Sequence, residues 1–164
     1  MVYDVRPLLR TPGSRERFQF TMDLSRLEFN GRYPISRPVE VEGEVRNSAD
    51  VLTLEMTART TLDAVCDRCG RAFEKEKTTS YTCVLAEERE SEDSDDIVLL
   101  EGGRVDLGGL AREAFILDMD TRTLCSEDCK GLCARCGANL NDGPCGCKRE
   151  VDPRLAALAA LLDK

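Results

Sequence analysis

Between residues 39 and 87 the chain alternates apolar and polar positions. VEVEGEV (39–45) has a period of two, VLTLEMTARTTL (51–62) keeps it while adding β-branched residues, and AFEKEKTTSYTCVLA (72–86) resumes it. Two short breaks interrupt the pattern. NSAD, Asn47 to Asp50, has hairpin-turn composition, and CDRCG, Cys66 to Gly70, reads as a second turn. The pattern predicts an antiparallel meander with one polar face. The stretch Phe18 to Phe29 fits a strand or a helix equally well.

After the meander the period changes. In IVLLEGGRVDLGGLAREAFILDMD (97–120), Asp106 is a good N-cap, and Leu107, Leu110, Ala114 and Leu117 recur at helical spacing, predicting a helix that lies on the sheet. The terminal DPRLAALAALLDK predicts another. Asp152 can cap it, Pro153 suits its first position, and Leu155, Leu158, Ala159 and Leu162 form one stripe facing the core or a partner. The fold class expected is α+β: an antiparallel β-meander domain with packed helices and a C-terminal cysteine-rich zinc-binding segment. Residues 1–120 form the β-rich domain, with an acidic linker near 86–104. Residues 121–164 form the cysteine-rich segment and its helix, packed on the first.

A chain of 164 residues is long enough to bury a core without disulfides. The formal net charge of −8 speaks against a phosphate-binding surface, but its distribution matters. From Leu85 to Asp106 nine acidic and two basic residues give −7, leaving −1 for the rest. That run reads as a solvated loop that stays off RNA. No apolar stretch suggests a signal peptide or a membrane span, so the expected location is the cytoplasm, where thiols stay reduced.

This changes the reading of the nine cysteines. CDRCG (66–70) and CARCG (133–137) share one form, in which a tight turn aims two thiols at one point and the glycine permits positive φ. Cys125, Cys129, Cys145 and Cys147 lie near the second turn. The chain has no histidine, so a zinc site would be built from thiolates. Arg68, Lys130, Arg135, Lys148 and Arg149 could offset the charge of such a centre and touch RNA or a partner. Two ligand sets are open. The two C-x-x-C-G turns could close one ribbon-like site from Cys66, Cys69, Cys133 and Cys136. Alternatively, Cys133 and Cys136 could join two of Cys125, Cys129, Cys145 and Cys147, which loop-closure entropy favours. Eight thiolates could also hold two ions. Cys83, alone in an alternating strand, reads as a buried hydrophobe.

Enzymatic signatures are missing from the sequence. Without histidine there is no Ser–His or Cys–His pair, and no P-loop, dinucleotide fingerprint or H-E-x-x-H occurs. PCGC (144–147) has one residue between its cysteines where a zinc deaminase has two. The remaining alternatives are a non-enzymatic binding factor and a thiol redox sensor or zinc-release switch, the latter suggested by the surplus of cysteines.

VCDRCGRAFEKEKTTSYTC (65–83), VDLGGLAREAFILDMD (105–120), LCSEDCKGLCARCGANLN (124–141) and DPRLAALAALL (152–162), in this order, resemble the YceD family of large ribosomal RNA subunit accumulation proteins. The resemblance implies a non-enzymatic role in synthesis, processing or stability of the 23S large-subunit rRNA. It implies contact with that rRNA or with ribosomal proteins, and neither a membrane nor a small-molecule substrate. Some family members keep the C-x-R-C turn but lack most of the C-terminal cysteines, which implies a stabilising role for zinc.

Overall fold

The computed structural model describes residues 1–88 and 97–147. The expected terminal helix and the positions of Lys148 and Arg149 lie outside them. Four strands make the meander: β2 (Arg15–Met22), β3 (Val39–Ser48), β4 (Val51–Val65) and β5 (Ala72–Ala86), each antiparallel to the next. The ambiguous stretch thus begins as strand. A short β6 (Ile97–Leu99) adds to β5 in parallel, making the five-stranded sheet mixed. At the chain start, β1 (Val2–Asp4) pairs with β7 (Arg104–Asp106), and α1 (Arg6–Leu9) follows β1. The part of the expected acidic linker that is described is therefore partly built of strands, with Ile97–Leu99 on the main sheet and Arg104 entering β7.

The turns follow from local chemistry. Ala49 and Asp50 both have positive φ (52° and 66°) between paired Ser48 and Val51, the form whose twist matches flanking strands. Buried Asn47 supports this turn, accepting from the Asp50 amide at 3.0 Å and donating to the Leu8 carbonyl at 2.7 Å. Gly43 faces Phe18 across β2 and β3. A side chain there would collide with the Phe18 ring and stand 2.5 Å from the Glu55 carbonyl oxygen, so glycine is required by close approach.

One face of the sheet is apolar, through Val41 and Val45 of β3, Leu52 and Leu54 of β4, and Cys83 and Leu85 of β5. Against it lies α2 (Leu107–Leu117), whose Asp106 cap accepts from the Gly108 amide at 3.1 Å. The buried stripe of α2 is Leu107, Ala111 and Phe115, not the one expected. Leu110 and Ala114 flank it half-buried, and Leu117 is 80 % exposed. At about 100° per residue, Leu117 points roughly 120° away from the centre of that stripe. Phe115 is fully buried, which contributes about 1.5–3 kcal/mol.

The helix C-terminus is pinned from the sheet. Lys77 of β5, 8 % exposed, donates to the Asp118 carbonyl and pairs with the Asp118 carboxylate at 2.6 Å. Thr79 donates to the same carboxylate at 2.8 Å. A cation at a helix C-terminus also meets the negative end of the helix dipole. These bonds, led by the Lys77 donor, hold the Asp118 carboxyl below its usual range. From here the chain runs past Asp120, which Lys75 contacts at 2.8 Å, toward the tip of the β4–β5 hairpin.

Candidate metal centres

The two C-x-x-C-G elements fold alike. In the first, Cys66 N donates to Arg71 O and Gly70 N to Cys66 O, both at 2.9 Å; in the second, Cys133 N donates to Ala138 O at 2.8 Å and Gly137 N to Cys133 O at 2.9 Å. Gly70 and Gly137 take φ of 69° and 71°, the left-handed region that glycine enters without strain. Both turns place two sulfurs on one side of a small loop.

They do not face each other. The first turn is the tip of the β4–β5 hairpin, and its cysteines meet Cys125 and Cys129 on the segment after α2. The second meets Cys145 and Cys147, so that cluster lies within residues 133–147. In each cluster the four sulfurs lie within 4.8 Å of one another. The ribbon-like grouping of Cys66 and Cys69 with Cys133 and Cys136 is therefore not the one formed. The grouping within the C-terminal segment is, with Cys145 and Cys147 as partners, and a second cluster stands beside it.

Distances identify what the clusters suit. Cys66 and Cys129 sulfurs are 3.7 Å apart, as are those of Cys69 and Cys125. A disulfide needs about 2.05 Å. A tetrahedron with metal–sulfur bonds of about 2.3 Å has edges of about 3.8 Å, which these separations match. Each cluster can hold a metal ion.

The electrostatics agree. Burial opposes ionisation of Cys66, yet the amides of Cys125, Cys69 and Arg68 aim at its sulfur and bring the thiol down to about 6. Burial and the neighbouring sulfurs of Cys69, Cys129 and Cys66 push Cys125 up to about 12. The outer cluster repeats the split. Amides of Cys136 and Arg135 help lower Cys133 to about 6, while the neighbouring sulfurs, Cys136 first and then Cys133, raise Cys147 to about 12. Four crowded sulfurs cannot all ionise beside one another, and a bound dication removes that conflict.

The inner cluster is the better enclosed. Cys66, Cys69 and Cys129 are buried and pack with Phe73, Leu124 and Cys125 into a small core of their own. The segment carrying Cys125 and Cys129 is tied to the hairpin by a reciprocal pair: Asp67 N donates to Thr123 O at 2.9 Å and Thr123 N to the Asp67 carboxylate at 2.6 Å. Arg68 donates to the Cys129 carbonyl at 2.7 Å, so this arginine serves the cluster itself. Lys130 and Arg135 are exposed. In the outer cluster Cys136 and Cys147 are exposed.

A family model matches residues 54–162, that of the large ribosomal RNA subunit accumulation protein YceD. The chain belongs to the YceD family. The matched region spans all eight clustered cysteines. Among curated relatives, the large ribosomal RNA subunit accumulation protein YCED homolog 1, chloroplastic, of Arabidopsis thaliana is 28 % identical over 148 residues, covering 72 % of this chain. This YceD chain spans 46 % of that relative's length. An uncharacterized protein of Mycobacterium leprae is 26 % identical over 174 aligned positions, covering 99 % of this chain and 77 % of its own length. No solved structure matches. No helix among the described residues is long and apolar enough to cross a membrane.

Sequence spacing missed the residues around the sulfurs in this YceD chain. Asn141 donates from Nδ2 to Cys129 Sγ at 3.4 Å, Arg71 pairs with Asp142 at 2.6 Å, and Asp67 meets Thr123. The turn-like composition of NLND (139–142) could have pointed to Asn141 and Asp142, and no sequence signal marks Asp67, Arg71 or Thr123.

Proposed function

We propose that this chain is a non-enzymatic factor supporting accumulation of the large-subunit rRNA, and that zinc in the two cysteine clusters is structural. Membership of a family described by that role supports the first part, and the 3.7 Å sulfur spacing in the inner cluster supports the second. Zinc is favoured over other ions because an all-thiolate tetrahedral set suits it and it needs no redox partner. Bound zinc fastens residues 121–147 to the hairpin tip and so fixes the surface that meets large-subunit rRNA or a ribosomal protein. The working place is the compartment where ribosomes assemble, the cytoplasm of a bacterial cell.

The surface favours a protein as the immediate contact. In residues 121–147, Arg122, Lys130 and Arg135 are balanced by Glu127, Asp128 and Asp142, and each metal-bound four-thiolate centre adds about −2. That balance gives weak attraction for phosphates. Depleting the protein and measuring precursor and mature large-subunit rRNA tests the role, and unchanged levels of both refute it. Sedimentation of the tagged protein with pre-ribosomal particles at rising salt tests the contact. Direct RNA binding falls steeply with salt, and a protein contact falls less.

A further inference from the structure

The two clusters differ in enclosure, and one side chain of the outer loop touches a sulfur of the inner cluster. Three sulfurs of the inner cluster are buried, while two of the outer cluster are exposed. The outer cluster closes on itself within residues 133–147, and from its Asn139–Asp142 loop one side chain reaches back to Cys129 of the inner one. Asn141 makes the contact. Its Oδ1 accepts from the Lys130 amide at 2.7 Å, which leaves Nδ2 to point at Cys129 Sγ, at 3.4 Å, and at Asn139 Oδ1, at 2.8 Å. The loop is held from the same side by Leu140 N donating to Gly131 O at 2.9 Å and by Arg71 on Asp142.

We propose that the outer cluster is an exchangeable metal site whose occupancy is communicated to the inner cluster through Asn141. This rests on the reading that both clusters bind zinc, and it adds which ion leaves, in what order, and through which residue. Exposed Cys136 and Cys147 give a competing ligand an open side from which to displace the outer thiolates one at a time. The inner cluster is less open to such approach, with Cys66, Cys69 and Cys129 buried and Asn141 held against Cys129 Sγ. Loss of the outer ion slackens that loop, since Cys136 and Cys145 anchor its two ends, and leaves only the Leu140–Gly131, Lys130–Asn141 and Arg71–Asp142 contacts to keep Asn141 on Cys129. An N–H···S bond stabilises a thiolate ligand, and outer-shell partners of this kind typically change metal affinity about 10–100-fold. The coupling is reciprocal: an occupied inner centre, by holding Cys129 under Asn141, also favours the outer ion. Asn141 is a positioning residue in this scheme and not a ligand.

The test uses the full chain loaded with zinc and challenged with a chromogenic chelator. Two equivalents are expected, one released fast and one slowly. In C136S the fast equivalent disappears and the remaining one leaves about tenfold faster or more. In N141A both equivalents remain and only the slow phase accelerates, by a similar factor, whereas N141Q, which keeps the amide donor, restores part of the slow rate. Cobalt(II) loading separates this from general loosening, because losing a hydrogen bond to a ligand sulfur moves the sulfur-to-metal charge-transfer band in N141A, while a distant core-loosening variant such as F115L leaves it unmoved. Two equivalents leaving in one phase, or a slow phase and cobalt spectrum unchanged in N141A, overturn the proposal while leaving structural zinc intact. A chain that binds no zinc overturns both.

Discussion

Excess EDTA, given time to strip both clusters, is expected to free residues 121–147 while the five-stranded sheet stays folded. The main core ends at Met119, and no residue of the cysteine-bearing segment belongs to it. What ties that segment to the hairpin, apart from metal, is a short set of polar contacts and the packing of Phe73 with Leu124 beside the cysteines. Three hydrogen bonds join Asp67 with Thr123 and Arg68 with the Cys129 carbonyl. At about 0.5–1.5 kcal/mol net each, they supply roughly 2–5 kcal/mol. The Arg71–Asp142 pair, with both side chains at least half exposed, adds about 0–1 kcal/mol. Ordering the backbone costs about 1–2 kcal/mol per residue, and residues 121–147 number 27. Turn hydrogen bonds inside the segment and the half-buried packing of Phe73 with Leu124 recover only part of that cost, so the protein contacts lose without the metal. Hydrogen–deuterium exchange before and after chelation reads this directly. Amides in 121–147 and in the tip at 66–71 should lose protection, and trypsin should reach Lys130 and Arg135. Strands β3 and the core half of β4 should stay protected. Continued protection of 121–147 after metal analysis shows none bound would refute the reasoning, as would unfolding of the whole sheet in the same step.

Three further outcomes test the fold that carries the clusters. K77M should lose about 1 kcal/mol at neutral pH in urea denaturation, since it removes the donor at the helix end. Because Asp118 titrates lower folded than unfolded, its pairing with Lys77 is fully present above the ordinary carboxylate range and lost as pH falls through the folded value. The gap between wild type and K77M should therefore shrink in acid, and a gap constant with pH would argue against the pairing. A49G should raise stability by up to about 1 kcal/mol in thermal unfolding, because Ala49 sits at φ 52° where glycine is relaxed. G43A should lower it by about 1–3 kcal/mol, since the added carbon meets the Glu55 carbonyl and the Phe18 ring, and a neutral effect would mean that β2 and β4 yield more than the packing implies.

Period-two alternation exposed β3, β4 and β5 in the sequence because each presents one face to a core and one to water over ten residues or more. Three-residue strands such as β6 and β7 carry no period, and their pairing partners come from elsewhere in the chain. The twin C-x-x-C-G turns were equally legible, because their shape is set by residues within the turn. The choice of partners for Cys66 and Cys69 was not. Loop-closure entropy rises only logarithmically, so drawing in a cysteine pair some sixty residues away costs about 1–2 kcal/mol more than a local pair. The ordering of α2 against the sheet offsets that difference by delivering Cys125 and Cys129 to the hairpin tip. The helix stripe was misread by phase alone, since Leu117 fits the spacing but falls beyond the contact.

The β4–β5 ladder runs unbroken over fourteen pairs, from Leu52–Leu85 near the Asn47 turn to Val65–Ala72 at the cysteine tip, a length of about 44 Å. Such a ribbon works as a fixed strut: its near end is cemented into the core and its far end is an address in space. A partner that grips the tip receives the orientation of the whole sheet through that strut. Motion of the cysteine-bearing segment then has one place to happen, the link from Met119 to Thr123, where the chain crosses from helix to tip.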